Sequence, residues 1–62
     1  MKRRDLIKQI NDIAKAQGVR PVWKEGSSHT IVTVGARRTV IPRHTEVKEP
    51  LARQIIRDIT ED

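Results

Sequence analysis

The chain has 62 residues, which allows one small domain over 1–62 and, at this size, burial of only about 60% of the unfolded surface. It has no cysteine, so no disulfide or zinc-thiolate staple supports that thin core, a usage suited to a reducing cytoplasm. Apolar residues make up 35% and charged residues 34%, which is enough to fold and too polar for a membrane span, and the net charge of +5 fits a polyanionic partner, or else a soluble basic surface.

The chain opens on Met1-Lys2-Arg3-Arg4, a basic start with no apolar run behind it and so no signal peptide. Leu6, Ile7, Ile10, Ile13 and Ala14 recur at helical spacing, Asp5 suits the first turn, and Gly18 can close the helix in a left-handed conformation. The predicted first helix covers residues 3–17. Residues 19–25 (VRPVWKE) are rich in β-branched and aromatic side chains and read as a strand, with Pro21 forcing its start to an edge or bulge. Gly26-Ser27-Ser28 is a turn, and residues 29–34 (HTIVTV) form a second strand. Gly35-Ala36-Arg37 turns again into a third strand over residues 38–41, stopped by Pro42. Loops this short make both connections antiparallel hairpins. Val32 and Val34 point one way and Ile31 the other, so parity alone does not decide which sheet face is buried.

Residues 42–49 (PRHTEVKE) are polar and irregular. Pro50 fits the first position of a closing helix whose apolar stripe is Leu51, Ala52, Ile55, Ile56 and Ile59. Glu49 with Arg53, and Arg57 with Glu61, have the spacing of favourable pairs one helical turn apart. The expected fold is α+β, in the order α-β-β-β-α: a three-stranded antiparallel sheet with two helices on one face and the other face open.

The charge is uneven along the chain. Residues 1–19 carry five positive and two negative side chains, residues 20–44 five and one, and residues 45–62 three and five. Trp23 is the single aromatic, whereas modules that read single strands by stacking need several. A nucleic-acid partner would therefore be held through phosphates, backbone amides and shape.

Candidates for chemistry are few. The chain has no P-loop, no dinucleotide-binding glycine pattern and no His pair at metal spacing, so neither a metal nor a cofactor is expected. Lys24-Glu25-Gly26-Ser27-Ser28-His29 is the informative segment. Its small residues let a backbone approach a phosphate, whose oxygens Lys24 and the amides and hydroxyls of Gly26, Ser27 and Ser28 could bind. One imidazole is enough if the substrate is RNA, because the nucleophile is built in. A general base takes the proton of the 2′-hydroxyl, which attacks the adjacent phosphorus and leaves a cyclic phosphate and a free 5′-hydroxyl. An ordinary imidazole, titrating at about 6.5, suits that role at neutral pH. The bland alternative for His29 is a surface or capping residue. Arg37, Arg38 and Arg43 flank the third strand and fit as phosphate ligands or as a solvated face. His44 reads as a residue that orders its loop through a hydrogen bond.

Taken in order, the basic helix with Asp5-Leu6-Ile7-Lys8, the Gly26-Ser27-Ser28-His29 turn, the strand from Arg38 to Pro42, Pro42-Arg43-His44 and the closing Leu51-Ala52-Arg53-Gln54-Ile55-Ile56 helix resemble the HicA toxins of bacterial type II toxin–antitoxin systems. The resemblance covers nearly the whole chain. It implies a fold like the double-stranded RNA-binding domain, a metal-independent endoribonuclease (mRNA interferase) acting on mRNA in the cytoplasm, and a cognate HicB antitoxin that binds the toxin and blocks its site. The family's catalytic His follows a small Gly/Ser turn, which maps to His29. The common form is Gly-Ser-His, and here one further Ser stands between Gly26 and the Ser-His pair. Lys24 and residues 26–28 are then the phosphate cradle, and Arg37, Arg38 and Arg43 position the RNA backbone. The general acid is open among His44, Lys24 and water. The rival readings are a non-catalytic RNA-binding module of the same fold and a purely protein-binding partner that docks its basic patch on an acidic antitoxin.

Overall fold

The structure, a computed structural model, describes residues 1–60. Its order is α1 (Arg3–Ala16), β1 (Val22–Glu25), β2 (His29–Val34), β3 (Arg37–Pro42) and α2 (Glu49–Thr60). The strands form one antiparallel sheet in the order β1-β2-β3, so the expected α-β-β-β-α architecture is present.

Helix α1 begins without a side-chain cap at Lys2. It ends in a complete Schellman motif: Gly18 adopts φ +74°, its N–H donates to the Lys15 carbonyl (3.0 Å), and the Val19 N–H donates to the Ala14 carbonyl (3.0 Å). Val19 then packs against the core. That corrects the expected first strand, which reached back to residue 19. The β-branched Val19 is consumed by the helix cap, and Pro21, with no N–H to give a ladder, delays pairing until Val22. The second hairpin is tighter than expected. Val34 faces Arg37 across a two-residue turn, Gly35-Ala36, with positive φ at Gly35 (63°) alone, as a type II′ turn requires. Arg37 therefore belongs to β3, and Pro42 closes β3 on its edge position rather than lying outside it.

Helix α2 starts one residue before the expected Pro50: the Ala52 N–H donates to the Lys48 carbonyl (2.9 Å), which makes Glu49 the first helical residue and Pro50 the second. Pro50 is tolerated there because first-turn N–H groups have no helical acceptor anyway. Leu51, expected in the buried stripe, is 44% exposed. The apolar position near that end is filled instead by Val47, 2% exposed, from the segment expected to be merely polar and irregular. Glu49 and Arg53 approach at 4.0 Å as expected. The expected partner of Arg57, Glu61, lies outside the described residues.

The core settles the sheet's parity. Leu6, Ile10 and Ala14 of α1 and Ala52, Ile55 and Ile59 of α2 pack on Val32 and Val34 of β2 and Ile41 of β3. Both helices thus cover one sheet face. Two threonines share that face because each hydroxyl has partners: Thr39 donates to Asp58 Oδ2 (2.9 Å), and Thr30 bonds to Glu25 and Arg3. The opposite face carries Val22 and Lys24 of β1, His29, Ile31 and Thr33 of β2, and Arg38, Val40 and Pro42 of β3, by strand alternation from the buried residues. Among the described residues, no helix is long and apolar enough to cross a membrane.

The first residues add a short extended pairing. Lys2 bridges Glu46, the Arg3 N–H donates to the Thr45 carbonyl (2.8 Å), and Met1 and Val47 exchange two backbone bonds of 2.9 and 2.7 Å. This clips the start of α1 onto the segment leading into α2.

Candidate active site

Glu25 and Thr30 face each other as the last paired residues of the first hairpin, and the Gly26 N–H donates to the His29 carbonyl at 2.8 Å. Gly26 suits this position through space, not through φ. A Cβ at this position would come within 3.1 Å of the His29 carbonyl oxygen, closer than backbone atoms normally allow. The turn residues Ser27 and Ser28 and the first residue of β2, His29, are all exposed.

His29 stands on the open sheet face, opposite Pro42. Its Nδ1 lies 3.1 Å from Ser28 Oγ. Lys24 faces Ile31, so it is the diagonal neighbour of His29 on the same face, a separation of roughly 7–8 Å. No residue that the strands place on that face is acidic. Glu25 belongs to the other face, where its carboxylate meets the Thr30 hydroxyl.

The remaining expected residues divide. Arg38 shares the open face but pairs with Thr33 near the far hairpin, about 13 Å along β3 from Pro42 at roughly 3.3 Å per residue. Arg37, opposite Val34, is also at that far end and is engaged in an interaction of its own. Neither is a neighbour of His29. Arg43 is near the turn, yet its guanidinium is committed to protein: Nη2 is 2.9 Å from Glu25 Oε1 and also donates to the Gly26 carbonyl. The hydrogen bond expected of His44 is not made; the side chain is exposed and partnerless among the described residues.

Arg3 was not visible as part of this site in the sequence. Its Nε donates to the Pro42 carbonyl (3.0 Å) and its Nη2 to Thr30 Oγ1 (2.8 Å), which brings the start of α1 to the turn end of the first hairpin. The run Lys2-Arg3-Arg4 was the available signal, although nothing in it says which of the three turns inward. Lys2 and Arg4 stay exposed beside Arg43 in a groove along the helical side of the sheet.

Among the described residues, no three His, Asp or Glu side chains converge as metal ligands would. No protein-family model matches the chain, and neither does any curated protein or solved structure.

Proposed function

We propose that this protein is a metal-independent endoribonuclease of the HicA type, a toxin held in check in the cytoplasm by a HicB-like antitoxin, with His29 as its general base. The observation that carries this reading is the placement of the imidazole. It is exposed at the mouth of a Gly/Ser turn, on a sheet face that carries Lys24 and Arg38 and no carboxylate. That face accepts a phosphodiester without like-charge repulsion.

The base works in one tautomer, the one in which Nδ1–H donates to Ser28 Oγ, 3.1 Å away, and Nε2 carries the free lone pair. Nε2 takes the 2′-hydroxyl proton, O2′ bonds to phosphorus, and the bond from phosphorus to the 5′-oxygen breaks. The leaving oxygen is protonated by water or by a neighbouring acid, Lys24 or His44. The Ser27 and Ser28 amides and hydroxyls and the Lys24 ammonium stabilise the charge that builds on the phosphoryl oxygens, whereas the Gly26 amide, expected in the same cradle, is already bonded to the His29 carbonyl. Arg38 meets the RNA backbone farther along the face.

One specific observation favours the runner-up, a non-catalytic RNA-binding module. The imidazole sits on an open face, and neither the groove between the helices nor the one at the start of α1 includes it. An RNA and its counterpart with a single 2′-deoxy nucleotide at the cleaved position separate the two. In EDTA, the protein should cut the first to a cyclic phosphate and a 5′-hydroxyl and leave the second intact at that position. Binding of both without any cutting would establish the module. Cutting of the deoxy strand, or 5′-phosphate ends, would mean that water or a protein nucleophile attacks.

A further inference from the structure

We infer that Glu25, Thr30 and Arg43 are positioning residues: with Arg3 they form a polar relay that holds the turn at residues 26–28 and so sets where the His29 imidazole stands. The catalytic half of this inference rests on the ribonuclease reading above; the conformational half does not.

The relay is continuous. Arg3 Nε is bonded to the Pro42 carbonyl at 3.0 Å and Arg3 Nη2 to Thr30 Oγ1 at 2.8 Å. The Thr30 hydroxyl in turn donates to Glu25 Oε1 at 2.9 Å. The same carboxylate oxygen meets Arg43 Nη2 at 2.9 Å, and that guanidinium also donates to the Gly26 carbonyl. Three segments distant in sequence, the start of α1, the last pair of the first hairpin and the loop after β3, thereby close on one small turn.

The turn needs such support. Its residues are exposed, and the bond from the Gly26 N–H to the His29 carbonyl is the last of the ladder. A Gly/Ser turn with so few contacts opens at low cost. The relay restrains both of its legs. On the β1 side, Arg43 grips the Gly26 carbonyl. On the β2 side, Thr30, directly after His29, is 1% exposed and has its hydroxyl occupied as both donor and acceptor. Glu25 is the joint between the two sides, since one oxygen serves both. Its pairing with Arg43 is exposed, with side-chain accessibilities of 62% and 43%, so its direct contribution to global stability is small. What it contributes is direction. An exposed ion pair anchored at one end on a buried threonine and at the other on a backbone carbonyl fixes a loop more than it stabilises a fold.

The chemistry explains why an arginine stands at residue 43. The two N–H groups on Nη2 lie in the guanidinium plane and can meet a carboxylate and a carbonyl in set directions, whereas an ammonium is a less directional point charge. It also distinguishes Arg43 from a phosphate ligand. A ligand acts on RNA affinity, whereas a positioning residue acts on the free protein.

The test uses the full chain without RNA, then with it. In Arg43→Met and Glu25→Ala, NMR order parameters at Ser27, Ser28 and His29 should fall toward the flexible range, below about 0.6. Exchange of the Gly26 amide should speed roughly threefold to tenfold, the change expected for losing the usual net contribution of a hydrogen bond, while core amides of α1 and α2 stay protected. The double variant should be no worse than either single one, because both break the same unit. Arg43→Lys should recover part of the order. Asp12→Asn, at the exposed ion pair with Lys8 on α1, should leave the turn unchanged. With RNA, kcat should fall and KM should hold. Unchanged order and exchange at residues 26–29 in both single variants would overturn the relay. Loosened turns with unchanged kcat would overturn its catalytic role. A rise in KM alone would make Arg43 a phosphate ligand instead. If the parent chain cuts no RNA, the ribonuclease reading and the catalytic half fall together, and the turn measurements alone judge the relay.

Discussion

His29→Ala is expected to lower RNA cleavage by roughly 10²–10⁴-fold, the usual span for loss of a positioned general base, and to abolish growth arrest when the protein is produced in cells. The fold should survive, because the His29 side chain is exposed on the open face and hydrogen-bonds to its neighbour Ser28 rather than to the core. Surface substitutions of this kind usually change stability by less than about 0.5 kcal/mol. Ser28→Ala keeps the imidazole but removes the hydrogen-bond partner of its Nδ1, so it should cost far less than loss of the ring. A His29→Ala protein that still cuts RNA at the parental rate, with a parental melting curve, would end the assignment of His29.

Ile55→Ala is expected to leave little folded protein at 37 °C. A domain of 62 residues has a global stability of about 3–9 kcal/mol, scaling from 0.05–0.15 kcal/mol per residue. Ile55 is 1% exposed and belongs to the cluster that joins both helices to β2 and β3. Truncating such a side chain typically costs about 2–5 kcal/mol, through lost burial and the cavity left behind. There is no disulfide among the described residues to limit the loss. Urea titration followed by far-ultraviolet circular dichroism measures it. A midpoint within experimental error of the parent would show that α2 does not anchor the core. Leu51→Ala is the internal comparison: its side chain lies 44% exposed on the same helix and should move the midpoint far less.

The elements were legible in the sequence because each carries its own local signal: the helical spacing of Leu6, Ile10 and Ala14, the β-branched run of β2, and the glycines at 18 and 35. What was not legible depended on competition between signals or on partners far away. Val19 has a strand-forming side chain, yet its amide is worth more to the end of α1. Both faces of the sheet are β-branched, with Val22, Ile31 and Val40 outside and Val32, Val34 and Ile41 inside. Counting apolar residues therefore could not choose the buried side. Buried threonines among the inward positions blurred the pattern further. At the site, Lys24, the Gly/Ser turn and His29 were adjacent in sequence and stay adjacent in space. Arg37 and Arg38 shared their charge but not their end of the sheet. The tie from Arg3 to Pro42 spans 39 positions, and no local motif marks it.

The clip between residues 1–3 and 45–47 has a consequence for how the chain emerges during synthesis. The two hairpins need only neighbours a few residues away, so they can form as soon as β3 has left the ribosome. The docked start of α1 cannot: its backbone partners, Thr45 and Val47, are made last before α2, and closing a loop of this length carries an entropic cost that local hairpins avoid. Arg3 and Arg43, the two ends of the polar relay, are likewise first and late in translation. A nascent chain halted before Arg43 should thus carry its imidazole on an unanchored turn, and pulse-labelled exchange should find the Arg3 amide protected later than the amides of β2. Simultaneous protection would mean that helix and sheet close in one step. Under the proposed ribonuclease function, late closure would leave the nascent chain an interval on the ribosome in which its turn is made and not yet held.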